Sequence, residues 1–485
     1  MYTPNFSFSS DTPLYRLLYL TIRKDILTKE LPSGSCLPAK RKMAANLGIS
    51  INTVDAAYQQ LVSEGYLLSR PQSGFFVRDI SETLSGSYSF EEKKENTPPS
   101  LPVTSDYFID FSPNGIDLTQ IPVSSLRKTL KKEMDNPASF SLSPSTGALR
   151  LREGLCRYLR ASRGLRCTPE QILVGAGTDY LLQLLVQILR TYQNTLSIAM
   201  EDPVYSKAYQ IFSGLSIPMS FVPLDDAGLD MSILKSLDAN VVYTTPSHQF
   251  PLGYVMPIDR RLSLLRWAKQ KRERFIIEDD YDSEFRYFGK PVPAISSLDD
   301  TEKVIYLGTF SKNISPSVRV SYLVLPKELM DVYNTALSYY GNTVTHFEQL
   351  LLAGMIENGE FERHINRTRT LCKKKRDFLL TSLLPYEKNI LVRGTDAGMH
   401  VLCTVKNNMS ERELTEKAKE KGIRVYGISD YYADAHKYDI PYQNIPESTI
   451  LLGYAGLTFQ TIQEGVEALG KAWLLPKTRF SKNHL

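Results

Sequence analysis

Long apolar runs, paired cysteines and a strong excess of either charge are what this sequence lacks. The greasiest stretch, Tyr180 to Leu189, is too short to span a bilayer and is interrupted by Gln183 and Gln187. Five cysteines (Cys36, Cys156, Cys167, Cys372 and Cys403) are odd in number, widely spread and without a C-x-x-C pair. Such spacing suggests neither a disulfide framework nor a zinc site, so no metal is expected and a reducing compartment fits. The first residues, MYTPNFSFSSDTPLYR, do not follow the charged-then-apolar order of a signal peptide. A cytoplasmic protein without a membrane partner is therefore expected. Net charge is only +4 over 485 residues and excludes little. Residues 1–80 hold nine Lys/Arg against six Asp/Glu, an excess of three that a solvated surface or a polyanion partner would equally explain.

What is present points to a divided chain. A length of 485 residues exceeds one ordinary hydrophobic core, and 42% hydrophobic with 23% charged residues is the balance of a globular protein. No internal repeat is visible. Residues 80–108 hold six serines, three prolines and a mixed charge run with no sustained apolar period. That stretch cannot bury enough apolar surface to offset its ordering entropy, so it is read as a flexible linker. It separates a small unit, residues 1–79, from a large one, residues 109–485.

In the small unit, Leu14, Leu17, Leu18, Ile22, Ile26 and Leu27 recur at helical spacing. PAKRKMAANLG (38–48) predicts a short helix stopped by Gly48. Ser50 is placed to cap a third helix from about Asn52 to Glu64, with Val54, Ala57, Tyr58 and Leu61 on one face. YLLSRPQSGFFVRD then predicts a β-hairpin turning at residues 71–74. Three helices and a hairpin make a winged helix-turn-helix, whose third helix fits a major groove. Ser50, Asn52 and Thr53 at the start of that helix would reach bases or phosphates. Lys40, Arg41 and Lys42 would meet the backbone of double-stranded DNA, with Arg70 on the wing. A helical protein-interaction module is the alternative. The segment LPAKRKMAANLGISINTVDAAYQQLVSEGYLLSRPQSGFFV resembles the GntR-type DNA-binding domain, departing from its pattern at Ala39 and Ile51.

The large unit alternates helical patterns with short β-branched runs: QILVGAG (171–177), VVYTTP (241–246), RFIIEDD (274–280) and KVIYLG (303–308). An α/β fold with a mostly parallel sheet covered on both faces follows, with ligands expected beyond the carboxyl ends of the strands. Three segments fall there. Gly175 to Asp179 joins a strand to a helix, a place for an anion or simply a glycine turn. Asp279 and Tyr281 follow an apolar run; they could hold a heterocyclic nitrogen and hydroxyl, or belong to a capping or metal-binding acidic cluster. Thr309-Phe310-Ser311-Lys312, with Arg319 seven residues on, sets a lysine beside hydroxyls between apolar runs. A lysine so placed has a lowered pKa, which Schiff-base chemistry needs; a surface lysine is the bland alternative.

Together these segments resemble the pyridoxal-phosphate (PLP) enzymes of fold type I, the aminotransferase fold. The resemblance implies that Lys312 forms the Schiff base with PLP, Asp279 pairs with the ring nitrogen and Tyr281 contacts the ring hydroxyl. Tyr205 (in EDPVY) would stack on the ring, and Gly177, Thr178, Thr309, Ser311 and Arg319 would hold the phosphate. A GntR-type domain, a linker and this fold in that order resemble the MocR/GabR family of bacterial regulators, on TTPSHQFPLG (244–253), IIEDDYDSEF (276–285) and YLGTFSK (306–312).

Two functions from different classes follow from that resemblance. In one, PLP or an amine-bearing effector switches DNA binding through Lys312; in the other, the large unit is an aminotransferase with real turnover. Aminotransferases place a carboxylate-binding arginine on a late strand, which here reads ILLGYAGL (450–457) without a guanidinium. Their N-P-x-G segment is here Phe250-Pro251-Leu252-Gly253, without the asparagine. Both losses favour the sensor, with a residual half-reaction still open. A third reading, a scaffold that has lost its cofactor, is opposed by Lys312, Asp279 and Arg319. Family members that answer to γ-aminobutyrate place arginines on its carboxylate, and the aligned positions are Lys207 and Asp430. An aspartate there would repel a carboxylate, favouring PLP itself or another amine or amino acid as effector. The fold type also implies a homodimer, with the winged domain swapped onto the partner.

Overall fold

A computed structural model describes residues 2, 4, 13–80, 107–225, 227–289, 292–433 and 448–474. The chain divides into two compact units, Met1–Val103 and Thr104–Leu485. The expected linker straddles that division, and its residues 81–106 lie outside the described residues.

The small unit is a winged helix-turn-helix. Its first helix, Leu14–Leu27, buries Leu18, Tyr19, Ile22 and Ile26, the spacing that the sequence showed. The second, Lys40–Leu47, ends on Gly48, whose φ of 65° is the left-handed conformation that lets a helix stop. The third, Ile51–Ser63, is shifted by one residue from its expected span, and Ser50 caps it by accepting the Thr53 N–H at 3.1 Å. Strands Leu67–Arg70 and Gly74–Val77 form the antiparallel wing. A third strand, Cys36–Leu37, pairs with Gly74–Val77 and escaped the sequence reading because a two-residue strand has no periodicity. Leu18, Ile22, Met43, Val54, Tyr58 and Leu61 close one apolar core, and the buried Tyr58 hydroxyl donates to the Pro38 carbonyl at 3.0 Å.

The large unit is built on an eight-stranded sheet. Across it run Ile172–Gly175, Ser321–Val324, Val304–Thr309, Phe275–Asp280, Val241–Thr244, Ile198–Asp202, Met219–Asp225 and Gly228–Leu229. The run from Val304–Thr309 to Met219–Asp225 is parallel throughout. Ser321–Val324 is antiparallel to both its neighbours, and Gly228–Leu229 to its one. Side chains alternate between two cores, as a sheet covered on both faces requires. Ile305, Leu307 and Ile277 pack with the helix Thr178–Tyr192, while Tyr306 and Tyr322 pack with the helix Leu149–Arg163 on the other side.

A four-stranded antiparallel sheet follows: Ile390–Arg393, His400–Val405, Thr449–Gly453 and Tyr426–Gly427. Helices Glu360–Leu383, Glu411–Glu420 and Phe459–Ala472 supply its core partners Leu379, Leu414 and Val466. The short strand Ile109–Asp110 pairs with Ile423–Arg424. That pairing carries the chain on through Pro113 and Asn114 to Lys312. No described helix is long and apolar enough to cross a membrane.

Gly308 is where the sheet leaves no room: a Cβ there would lie 2.4 Å from Tyr322 Cζ on the paired strand. Gly308→Ala is expected to destabilise the large unit by about 1–3 kcal/mol, the usual cost of overpacking. A urea melt should show a lower midpoint; an unchanged midpoint contradicts the crowding.

Candidate functional site

Beyond the carboxyl ends of the parallel strands lies a cavity of about 420 Å³. Each of the expected cofactor residues except Gly177 lines it: Thr178, Tyr205, Asp279, Tyr281, Thr309, Ser311, Lys312 and Arg319. Four chain segments deliver them, which is why residues more than a hundred positions apart meet.

Lys312 leaves the turn after Val304–Thr309, and its Nζ donates to Asn114 Oδ1 at 2.7 Å and to the Pro113 carbonyl at 3.3 Å. Desolvation lowers its ammonium to about 8, while the charge of Asp282 pulls the other way. Asp279, buried at the end of Phe275–Asp280, is pushed up to about 7 by burial, and the Tyr243 hydroxyl that donates to it opposes that rise. Tyr281 shares a hydrogen bond of 2.9 Å with His248 Nδ1, and that nitrogen also lies 2.8 Å from Asp282 Oδ2. Tyr205 meets Phe250 edge to face at 5.9 Å. Phe250 also meets Tyr281, His400 and Tyr431 edge to face, so the position expected to lack an asparagine is a wholly aromatic corner.

The anion end is built around Gly177, which has φ 87° and precedes the helix Thr178–Tyr192. A Cβ at Gly177 would come within 2.6 Å of Arg319 Nη2, so only glycine lets the guanidinium lie against this turn. Arg319 donates to Asp179 Oδ2 at 3.0 Å, and Lys207 Nζ reaches the same oxygen at 3.1 Å. Thr309 Oγ1 accepts from Ser321 Oγ at 2.8 Å, and Ser311 Oγ donates to the Val318 carbonyl at 2.7 Å.

These residues fit PLP. The cradle at Gly177, with a helix N-terminus and a guanidinium, suits a phosphate. Asp279 forms no ion pair among the described residues, and a protonated ring nitrogen would supply the missing cation. An amine lowered to about 8 at Lys312 suits reversible condensation with an aldehyde. Among the described residues, no group of three or more His, Cys, Asp or Glu is placed to hold a metal ion.

Of the two expected effector residues, Lys207 lines the cavity and Asp430 does not. Asp430 lies in the short turn Ser429–Tyr431 with its side chain exposed, and the turn presents Tyr431 to the cavity instead. The carboxylate that faces Lys207 within the cavity is Asp179. Asn114, Thr245, Gln210 and Tyr431 line the cavity without having been foreseen. Tyr243 and His248 brace it from behind.

On the small unit, Arg41, Lys42, Asn52 and Arg70 are exposed. Lys40 is half-buried, ion-paired with Asp55 and set over the Phe75 ring. Ser50 and Thr53 share a hydrogen bond of 2.8 Å in the cap of the third helix, so both serve its start as well as facing outward.

Residues 108–469 match the family model for aminotransferase class I and II, and residues 14–77 that for bacterial regulatory proteins of the gntR family. The "uncharacterized HTH-type transcriptional regulator YdeL" of Bacillus subtilis (strain 168) is 38% identical, with 97% of this chain and 99% of the relative covered. The "probable rhizopine catabolism regulatory protein MocR" of Rhizobium meliloti is 30% identical over 96% of this chain and 94% of its own. Among solved structures, the kynurenine aminotransferase of Pyrococcus horikoshii superposes with a TM-score of 0.65 at 27% identity, covering 76% of this chain and 91% of that one.

The state of Lys312 can be read directly. At pH 8 about half of it is neutral, against roughly one in 250 for an ordinary lysine. Its modification by a small acid anhydride, followed by peptide mapping, should rise with pH and level off above a midpoint near 8. A rate still climbing through pH 10 would mean that the nitrogen is not desolvated.

Proposed function

The chain belongs to the MocR/GabR family of bacterial transcription regulators, and we propose from that premise that its large unit senses a primary amine, or PLP itself, without sustained turnover. The observation that carries this reading is the charge inventory of the cavity. Among the described residues lining it, the cations are Lys207, Lys312 and Arg319. Arg319 is committed to a phosphate and Lys312 to covalent attachment of the cofactor. Only Lys207 is left for a substrate carboxylate, and Asp179 already neutralises it. The late strand Thr449–Gly453 buries Leu451 and Leu452 and offers no guanidinium. A site without a bidentate carboxylate clamp holds an amino acid poorly in the geometry that turnover needs.

When bound, PLP supplies an aldehyde that condenses reversibly with a primary amine. The chain's own residues orient and discriminate. Asp279, held by Tyr243, would pair with the ring nitrogen, and Tyr281, which shares a hydrogen bond with His248, would contact the ring hydroxyl. Tyr205 and Phe250 cover the cavity with aromatic surface and exclude water. Arg319 and Lys207 share Asp179 Oδ2, so a phosphate held by Arg319 would leave that carboxylate to Lys207. The effector's outer end then meets a neutral Lys207–Asp179 pair beside Gln210 and Tyr431, which favours a compound other than γ-aminobutyrate.

A homodimer completes this reading. Leu142, Tyr339 and Phe140 are 98, 73 and 67% exposed, and Phe140 stacks on Phe347 at 5.8 Å. These side chains flank a segment tied to the anion turn, since Thr343 Oγ1 accepts the Ala176 N–H at 3.0 Å. An apolar margin there suits a second copy of the chain. On the small unit, Arg41, Lys42, Asn52 and Arg70 are the residues proposed to meet DNA, with Lys40, Ser50 and Thr53 setting the helix start.

The visible absorbance of the PLP-loaded protein tests the sensor. A band is expected that is absent from Lys312→Ala and shifts with one compound of an amine panel, while keto acid formed stays below one equivalent per chain. Continuing keto-acid production contradicts the sensor and favours an aminotransferase; a protein that binds no PLP contradicts both.

A further inference from the structure

Cysteine spacing predicted no pairing, yet the fold brings two of the five thiols together. Cys156 lies on the helix Leu149–Arg163, and Cys167 lies in the segment that leads to Ile172–Gly175. Their sulfurs are 3.6 Å apart, with the Cys167 S–H donating to Cys156 Sγ. We propose that Cys156 and Cys167 are a redox couple that a hydroperoxide converts, reversibly, into an intramolecular disulfide.

Geometry and reach both favour this pair. Sulfurs at 3.6 Å are in van der Waals contact, and a bond of about 2.05 Å asks for a closure of about 1.5 Å. Arg152 on the helix donates through Nε to the Gly147 carbonyl at 3.0 Å and through Nη1 to the Pro169 carbonyl at 2.6 Å, which keeps the end of the segment holding Cys167 against the helix. Cys167 sits in neither helix nor strand, so its side can give. Both residues are half-buried, open to a small oxidant but not to a bulky one. The remaining thiols are differently placed. Cys36 is exposed and belongs to the other unit, while Cys372 and Cys403 are buried and pushed up to about 12 by that burial.

Cys156 is the attacking sulfur. The hydrogen bond from Cys167 lowers its thiol below the usual value, and the charges of Arg152 and Arg157 act in the same sense. Its thiolate attacks the O–O bond of the hydroperoxide and takes the terminal OH as a sulfenic acid; the other oxygen leaves with a proton as water or an alcohol. The Cys167 sulfur then attacks Cys156 Sγ, the S–O bond breaks, and the departing OH leaves as water with the Cys167 proton. Two thiols lose two electrons and the hydroperoxide gains them. A dithiol reductant reverses the bond. The crosslink lies against the core that holds Phe310, Ile314, Val320 and Tyr322, beside the turn that carries Lys312. Oxidation therefore bears on the part of the molecule that holds the amine, although the chemistry of the pair does not depend on the cofactor.

Peptide mapping of the full chain after one equivalent of hydrogen peroxide, with free thiols alkylated, tests the pair. The expected product is one linked peptide joining Cys156 to Cys167, short of two hydrogens and restored by dithiothreitol. Cys167→Ser should stop at a Cys156 sulfenic acid that a dimedone probe traps, and Cys156→Ser should slow thiol loss roughly tenfold. Oxidation centred on Cys36, chains linked to one another, or Cys156 and Cys167 both still alkylated would overturn the proposal.

Discussion

Asp279 is a carboxylate that the sheet buries with no cation paired to it among the described residues. Its neighbours in the fold supply one hydrogen bond, from Tyr243 on the adjoining strand, while burial and three further carboxylates, Asp280, Asp282 and Glu201, raise it. Asp280 Oδ2 accepts from Arg163 at 2.7 Å, and Asp282 Oδ2 lies 2.8 Å from His248 Nδ1. Asp279 alone faces the cavity. A buried carboxyl held near 7 is a standing electrostatic deficit, and a cationic heterocycle is the group that removes it. The other parts of the site are arranged around that deficit: an amine on one side, a glycine-lined anion cradle on the other, and aromatic rings over the face between them.

The same arithmetic limits what the site can do. A bound cofactor would use most of the charges that the cavity provides, and among the described residues lining it Lys207 with Asp179 is the pair left to meet an effector. That is enough to distinguish amines by shape and polarity, and it is a poor clamp for an amino acid during turnover. A regulator needs occupancy to differ between two states, whereas an enzyme needs tight positioning in the transition state. The loss of a guanidinium from Thr449–Gly453 and the aromatic corner around Phe250 sit easily with the first requirement and badly with the second.

Much of this was legible in the sequence where function is carried by contiguous residues. The strand-to-turn segments at Gly175–Asp179, Asp279–Tyr281 and Thr309–Lys312 each announce themselves, because apolar runs end abruptly in glycine, acid or hydroxyl. The winged unit was legible almost to the residue, since Gly48, Ser50 and the wing turn punctuate it. Tyr243 was not: inside VVYTTP it reads as one more apolar strand residue, and only the register that sets it beside Ile277 shows its hydroxyl reaching Asp279. Asn114 and Tyr431 come from segments far away in the chain, which no local pattern connects to Lys312. That Tyr431 and not Asp430 lines the cavity was not legible, because a short turn, with no period to fix its facing, decides which side chain enters it. The contact between Cys156 and Cys167 likewise depends on how a helix end is followed by an irregular segment.

If the chemistry at Lys312 governs the DNA affinity of the winged unit, an amine that reacts there must change operator binding. The most direct measurement is the Kd for operator DNA at fixed salt, with and without a saturating amine that shifts the absorbance of the PLP-loaded protein. The expected result is a change of at least about fivefold, the lower range of allosteric coupling, and its loss in Lys312→Ala. An operator Kd that the amine leaves unchanged in the unmodified protein would contradict it.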